Sequence, residues 1–157
     1  MAPSDVEPVA EIEQESVSPW SPAQITEELS CSCSVTLVVE NEEGIICAWC
    51  CARYLGEEAE LLKIAVHRNI RRIGLGADLL SSLQQLLTQL GVVEIFLEVR
   101  SKNEPALRLY QKNGFKVVGK RPGYYSNPTD DALICQFHTS HGVIIGKEKK
   151  NEIVARY

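Results

Sequence analysis

Arg71-Arg72-Ile73-Gly74-Leu75-Gly76 is the stretch whose reading decides the fold. It follows an apolar, strand-like run, Leu61 to Val66, and opens a helix whose leucines recur at helical spacing. Two glycines at a strand-to-helix junction let a ligand come close to the main chain, because no Cβ stands in the way. The first turn of the helix adds unpaired N–H groups and the positive end of the dipole, a combination that holds phosphate. The stretch is a candidate grip for a phosphorylated cofactor. The plainer reading is a turn with no ligand.

Working outward, the helix is predicted from Gly76 to about Leu90. Leu75, Leu79, Leu80, Leu83, Leu86, Leu87 and Leu90 form its apolar face, and Gly91 ends it. Val92 to Arg100 reads as a buried strand, and about Glu104 to Asn113 as a helix with Pro105 in its first turn. Phe115–Lys120 and Ala132–Phe137 read as two more strands, joined by a linker, Arg121 to Asp131. Upstream, Ser34–Glu40, Ile45–Tyr54 and Glu60–Val66 read as antiparallel-type strands around turn-rich links. Two helices precede them. One runs from about Asp5 to Ser16 behind the capping-box pattern Ser4-Asp5-Val6-Glu7, the other from about Pro22 to Leu29 behind Ser21. This order predicts a mixed, mostly antiparallel α/β sheet flanked by helices.

At 157 residues the chain suits one domain, expected over 1–138, with a loosely held tail over 139–157. The net charge of −5 hides an asymmetry. Residues 1–60 carry 13 acidic side chains and one basic one, and the remainder carries 8 acidic and 15 basic. A basic portion suits an anionic cofactor and an acidic portion a cationic substrate. No apolar run is long enough to span a membrane, and the acidic N-terminus lacks signal-peptide features, so the protein reads as cytoplasmic. The spacing of Cys31, Cys33, Cys47 and Cys50 could hold zinc, but Cys47 to Cys51 lies in an apolar run where cysteine serves as a small buried hydrophobe. No metal is expected.

Three places carry candidate chemistry. Strand alternation puts Glu98 with Phe96 and Arg100 on one face, opposite Leu97 and Val99. A carboxylate in an apolar run must be paired or face a cavity, so Glu98 is either a structural partner or a general base. Asn103, Leu107 and Tyr110 share a helix face, with Asn103 also a plain N-cap and Tyr110 also a core aromatic. A phenol with a pKa of ~10 can hold its proton until a leaving thiolate, of pKa ~8.5, takes it. Trp20, Tyr124 and Tyr125 fall in loops or linkers, where they could line a substrate mouth or simply pack.

The order of elements, Arg71-x-x-Gly74-x-Gly76, and Asn103-Glu104-Pro105-Ala106-Leu107-Arg108-Leu109-Tyr110 closing on Asn113-Gly114-Phe115 resemble the GNAT acetyltransferases. Within that family, Phe96-Leu97-Glu98-Val99-Arg100, Gly123-Tyr124-Tyr125, Asp130-Asp131-Ala132, Ile12-Glu13-Gln14 and Pro19-Trp20-Ser21 are similar to the bacterial N-terminal alpha-acetyltransferases of ribosomal proteins. The resemblance spans about Asp5 to Phe137 and implies a GNAT fold using acetyl-CoA as co-substrate. It implies that Arg71, Arg72, Ile73, Gly74, Leu75 and Gly76 bind the CoA diphosphate. Asn103 would also contact CoA, and Ile64, Ala65 and Val66, in the strand from Lys63, would hold the pantetheine arm. Glu98 is implied as general base and Tyr110 as general acid, with Trp20, Tyr124 and Tyr125 near the substrate. The implied partner is a protein N-terminus, the alanine of ribosomal protein bS18, with no direct nucleic-acid or membrane binding. A GNAT acting on a small amine or a lysine side chain is the first alternative, and a non-catalytic CoA-binding module the second. Two departures stand out. The family's first edge strand is apparently missing ahead of Ser4, with Val143-Ile144-Ile145 a candidate to fill its place, and Val66-His67-Arg68 stands where the family often has Val-x-Pro.

Overall fold

The computed structural model describes residues 1–139 and the main chain of residues 154–156. Its strands are β1 (Ser34–Glu40), β2 (Ile46–Leu55), β3 (Glu58–Val66), β4 (Glu94–Arg100), β5 (Lys116–Ser126), β6 (Thr129–His138) and β7 (Val154–Arg156). They form one sheet in the order β5-β6-β4-β3-β2-β1-β7. Neighbours are antiparallel except β3 and β4, which run parallel. The helices are α1 (Val6–Glu13), α2 (Pro22–Ser30), α3 (Leu75–Gln89) and α4 (Glu104–Lys112).

Each face of the sheet has its own core, as strand alternation requires. Leu79, Leu80, Leu83 and Leu87 of α3 bury against Leu37, Cys50, Leu61, Ile95 and Leu97, with Tyr110 and Phe115 closing the same cluster. On the other face Val9 and Ile12 of α1 and Ile25 of α2 cover Val38, Trp49 and Cys51. Leu90, expected on the buried stripe of α3, is instead its half-exposed C-cap residue.

The second core is built around a charge. Glu13 is fully buried at the end of α1. Its carboxylate accepts from the Trp20 main-chain N–H at 3.0 Å and the Trp49 indole N–H at 3.1 Å, and pairs with Lys63 Nζ at 3.1 Å. One side chain thereby ties α1, the α1–α2 loop, β2 and β3 together. A buried carboxylate is tolerated only when satisfied in this way. At the other end, Glu28 of α2 takes Arg53 in a two-pronged pair, 3.0 Å from Nε and 2.5 Å from the terminal nitrogen, and accepts from Ser34 Oγ at 2.9 Å.

Several local expectations change. Ser21 caps α2 as read, with Gln24 reciprocating to the Ser21 N–H at 2.9 Å. Ser4 does not cap α1. A short 3-10 turn, Pro3–Asp5, leads in, and the Asp5 carboxylate bonds back to the Ala2 N–H at 2.6 Å. The expected linker Arg121–Asp131 is mostly strand, because β5 and β6 continue into a hairpin turning at Asn127–Pro128. Its alternation is hidden by a bulge. Arg121 pairs with Ala132 and Tyr125 with Asp130, so Pro122, Gly123 and Tyr124 together oppose Asp131 alone. Gly123 takes φ +63° there, and Asp131 holds the bulge by accepting from the Gly123 N–H at 2.8 Å and pairing with Lys120 at 2.6 Å.

The four cysteines considered for zinc do not converge. Cys33 sits where β1 meets Tyr54, and Cys47 at the far end of the same hairpin, beside His67. A seven-residue strand, roughly 20 Å long, separates the two ends. Cys50 and Cys51 are core residues, and burial pushes both thiols far above their ordinary range. Among the described residues no strand precedes α1, and β7 lies along the outer side of β1 instead. The candidate filler 143–145 is outside the described residues.

Candidate active site

The sheet opens where its one parallel pair ends. The ladder between β3 and β4 runs from Glu58–Glu94 to Leu61–Leu97 and stops. At that point β3 carries a bulge: Cys51 pairs with Lys63 and Ala52 with Leu61, leaving Leu62 as the extra residue. A bulge bends its strand, so β3 from Leu62 to Val66 leans away from β4 over Glu98 to Arg100. Ile64, Ala65 and Val66 lie on this opened segment. Ile64 and Val66 pack toward α3, and Ala65 toward α1.

Beyond β3 the chain turns through a 3-10 stretch, Arg68–Ile70, into the glycine loop. Arg71 is committed to structure. Its Nε donates to the Val66 carbonyl at 2.8 Å, and a terminal nitrogen pairs with Glu15 at 2.7 Å. Glu15 also accepts from the Arg68 N–H at 2.8 Å, so the turn that follows α1 fixes the start of the loop. Next, Arg72 has φ +67° and Gly74 φ +104°. These turns leave a row of donors. The N–H groups of Arg72, Ile73, Gly74, Leu75 and Gly76 bond to no acceptor among the described residues. Such a nest at a helix N-terminus fits an anion of diphosphate size. At Gly76 an added Cβ would stand 3.6 Å from both Leu109 and Val66, which is ordinary contact, whereas Gly74 is required by its dihedral. Ile73 is 71% exposed, and the hollow of about 380 Å³ beside it is rimmed by Glu42 and Glu43, which suits no phosphate.

Glu98 lies on the α1/α2 face of the opening. Ion pairing with Arg121 at 2.7 Å joins β4 to β5 across β6. The crossing is possible because β6 offers Ala132 opposite Arg100 and Arg121, and β5 offers Gly119 opposite Ile134. The bulge carries Tyr124 within hydrogen-bonding range of Glu98, and this bond is the first cause holding the Tyr124 hydroxyl above its ordinary range. Arg121 also lies 5.4 Å over the Tyr124 ring. The cluster borders a groove of about 510 Å³ lined by Glu58, Glu60, Phe96, Glu98, Arg121 and Ile134.

Two loops wall the opening, and Arg100 joins them. Its guanidinium donates to the carbonyls of Pro128 at 2.9 Å and Asn127 at 3.1 Å, at the tip of the β5–β6 hairpin, and reaches Ser18 Oγ of the α1–α2 loop at 3.5 Å. It also stacks 4.1 Å over Tyr125, whose ring meets Tyr124 edge-on at 5.0 Å. Asp130 braces the hairpin from behind, accepting from Ser101 Oγ at 2.6 Å, the bond that leads in holding its carboxyl below the usual range. Trp20 packs edge-on against Trp49 at 5.8 Å, with Lys63 Nζ over its ring. It is half-buried, one side of the indole resting on the second core.

Tyr110 stands on the opposite face, within the α3/α4 core and against Phe115 at 5.8 Å. Burial drives its hydroxyl far above the ordinary tyrosine range, with Cys135 and Tyr125 adding to the shift. Tyr125 in turn feels Glu98, so it stands in electrostatic range of both candidate groups. Asn103 caps α4, its Oδ1 accepting from the Ala106 N–H at 3.3 Å. Sequence reasoning did not single out Arg121, Arg100 or Lys63, and Glu13 entered only as part of a motif.

Residues 6–115 match the family described as the acetyltransferase (GNAT) family. A Bacillus subtilis (strain 168) protein named as a candidate [ribosomal protein bS18]-alanine N-acetyltransferase is 32% identical over 131 residues, covering 83% of this chain and 87% of that protein. The crystal structure of the Escherichia coli ribosomal-protein-S18-alanine N-acetyltransferase superposes with a TM-score of 0.83 at 28% identity, over 94% of this chain and 96% of that one. A GNAT phosphinothricin acetyltransferase from Sinorhizobium meliloti, solved with AcCoA, shares the fold at a TM-score of 0.78 and 20% identity, over 96% and 91% of the two chains. With an opened parallel pair, a donor-rich glycine loop and a match over most of its length, the chain belongs to the GNAT family of acetyltransferases.

Proposed function

We propose that the protein transfers an acetyl group from acetyl-CoA to the alpha-amine of a protein N-terminus, with the N-terminal alanine of ribosomal protein bS18 as the substrate, in the cytoplasm. The observation that carries this reading is the opening between β3 and β4. It has a diphosphate-sized row of N–H donors at one end, Glu98 with Tyr124 on one face and Tyr110 on the other.

Arg72 to Gly76 would hold the CoA diphosphate through their N–H groups. The opened edge of β3, Ile64 to Val66, would pair with the pantetheine arm, and the amide of Asn103 would contact the cofactor from its cap position. Acetyl-CoA supplies an acetyl group already activated as a thioester. An alpha-amine has a pKa of ~8, so modest help frees it at neutral pH. Glu98 accepts that proton, directly or through a water, while Tyr124 and Tyr125 border the peptide. Main-chain N–H groups beside the Leu62 bulge stabilise the charge that develops on the carbonyl oxygen. Tyr110, kept protonated by burial, donates to the departing sulfur. Trp20 acts at one remove, by shaping the α1–α2 loop.

Purified protein with acetyl-CoA and an alanine-start, arginine-rich peptide is expected to release CoA and yield peptide acetylated at its alpha-amine, read by mass spectrometry. Release only with small amines would favour the alternative reading. A second expectation concerns the loop alone. Gly74→Ala forces a Cβ onto φ +104°, at a cost of about 1–2 kcal/mol. It should weaken CoA binding about tenfold by calorimetric titration and leave the peptide KM unchanged.

A further inference from the structure

A bare carboxylate is a poor neighbour for an amine that must attack as the free base. It attracts the ammonium form and keeps it protonated, since an opposite charge within a few ångströms favours the charged state. In this protein Glu98 is not bare, because Arg121 pairs with its Oε1 at 2.7 Å. The other charges around the groove make the pairing matter more. Glu58 and Glu60 face it from β3, and both would attract a cation. Arg53 of β2 also faces it, but its guanidinium is bound to Glu28, and Lys63 of β3 is bound to Glu13 and to the Ser18 carbonyl. Arg100 of β4 is spent on the hairpin tip, and Asp130 of β6 on Ser101 and the Lys102 N–H. Cys33 from the start of β1 completes the rim, with Tyr124 and Tyr125 over Glu98 and Tyr110 behind the opening. Among the described residues Arg121 is therefore the cation that balances Glu98.

We propose that Arg121 is a positioning residue that shares the charge of Glu98, so that an incoming amine meets a paired carboxylate and is held as the free amine. This rests on the reading of Glu98 as proton acceptor. The geometry is specific to the pair. The guanidinium crosses β6 over Ala132, stacks on Tyr124 and ends on Glu98, and the bulge that Asp131 pins sets where it starts. At 55% side-chain exposure Arg121 can yield part of its hold as substrate enters.

The test compares wild type with R121M, R121Q and R121K at saturating acetyl-CoA, using the alanine-start peptide and, separately, spermidine. The pH dependence of kcat reports groups in the bound complex. In R121M and R121Q its rising limb should move to higher pH, giving a loss of about 3–10-fold at pH 7 that closes above pH 9. R121K, which keeps the positive charge but not the stacked, planar guanidinium, should move the limb clearly less than either neutral variant. A loss equal at every pH would mark a merely structural side chain and overturn the inference, as would an unmoved limb. Should wild type acetylate only spermidine, the substrate reading fails while the same limb, measured on spermidine, still decides the role of Arg121. Transfer to neither amine would overturn both.

Discussion

Glu98→Gln is expected to cut acetyl transfer at pH 7 by about 100-fold while leaving CoA affinity within about twofold. The two side chains have the same shape, so the groove keeps its form. On the proposed reading the proton acceptor is lost together with the charge that Arg121 pairs with, and general bases contribute about 10²–10⁴. The low end applies because the substrate needs little help. With a pKa of ~8 an alpha-amine deprotonates itself as the pH rises, so the defect should shrink above pH 9. CoA binding should survive because the donor row of Arg72 to Gly76 lies on a different element from Glu98. Initial rates between pH 6 and pH 9.5, with a parallel CoA titration, check both halves. An undiminished rate at pH 7 would remove Glu98 from the chemistry.

The second large effect is on stability. Glu13→Ala should destabilise the fold by about 3 kcal/mol, seen as a fall in Tm of roughly 6–12 °C for a chain of this size. The carboxylate is fully buried and serves three donors on three different elements. Removing it strands the Trp49 indole N–H inside the core, where an unpaired donor costs about 1–3 kcal/mol. Lys63 can recover some solvation, since its side chain is 17% exposed, which keeps the total from reaching the upper range for broken buried pairs. Glu13→Gln, which retains an acceptor, should lose about half as much. Equal Tm values for wild type and Glu13→Ala would mean that the hub carries no net stability.

Much of the fold could be read from the sequence because each reading needed only neighbours a few residues apart. Leucine spacing located α3 to within a residue, and Ser21 with Gln24 marked the start of α2. The glycine stretch was legible for the same reason, since main-chain donors need no distant partner. The partners of the site were not legible. Glu98 meets Arg121 only through the pairing of β4 and β5 with β6, and that pairing depends on a bulge that breaks the alternation of Pro122 to Tyr124. The same bulge made strand look like linker. Trp20 could be read either way from the sequence, as a mouth residue or as packing, because its contacts with Trp49 and Lys63 come from strands far along the chain.

The bulge in β5 has a consequence beyond the site. β5 ends the sheet on its side, and nearly all of its 11 residues are exposed. A straight strand there would present an open template for another molecule's strand to join. Pro122 removes one donor from that rim, the interruption between Arg121 and Tyr125 spoils its spacing, and Lys116 and Lys120 bring charge to it. The irregularity that brings Arg121 and Tyr124 to Glu98 thus also limits aggregation. Straightening β5 is therefore expected to lower solubility at the same time as it moves Arg121 and Tyr124 away from Glu98.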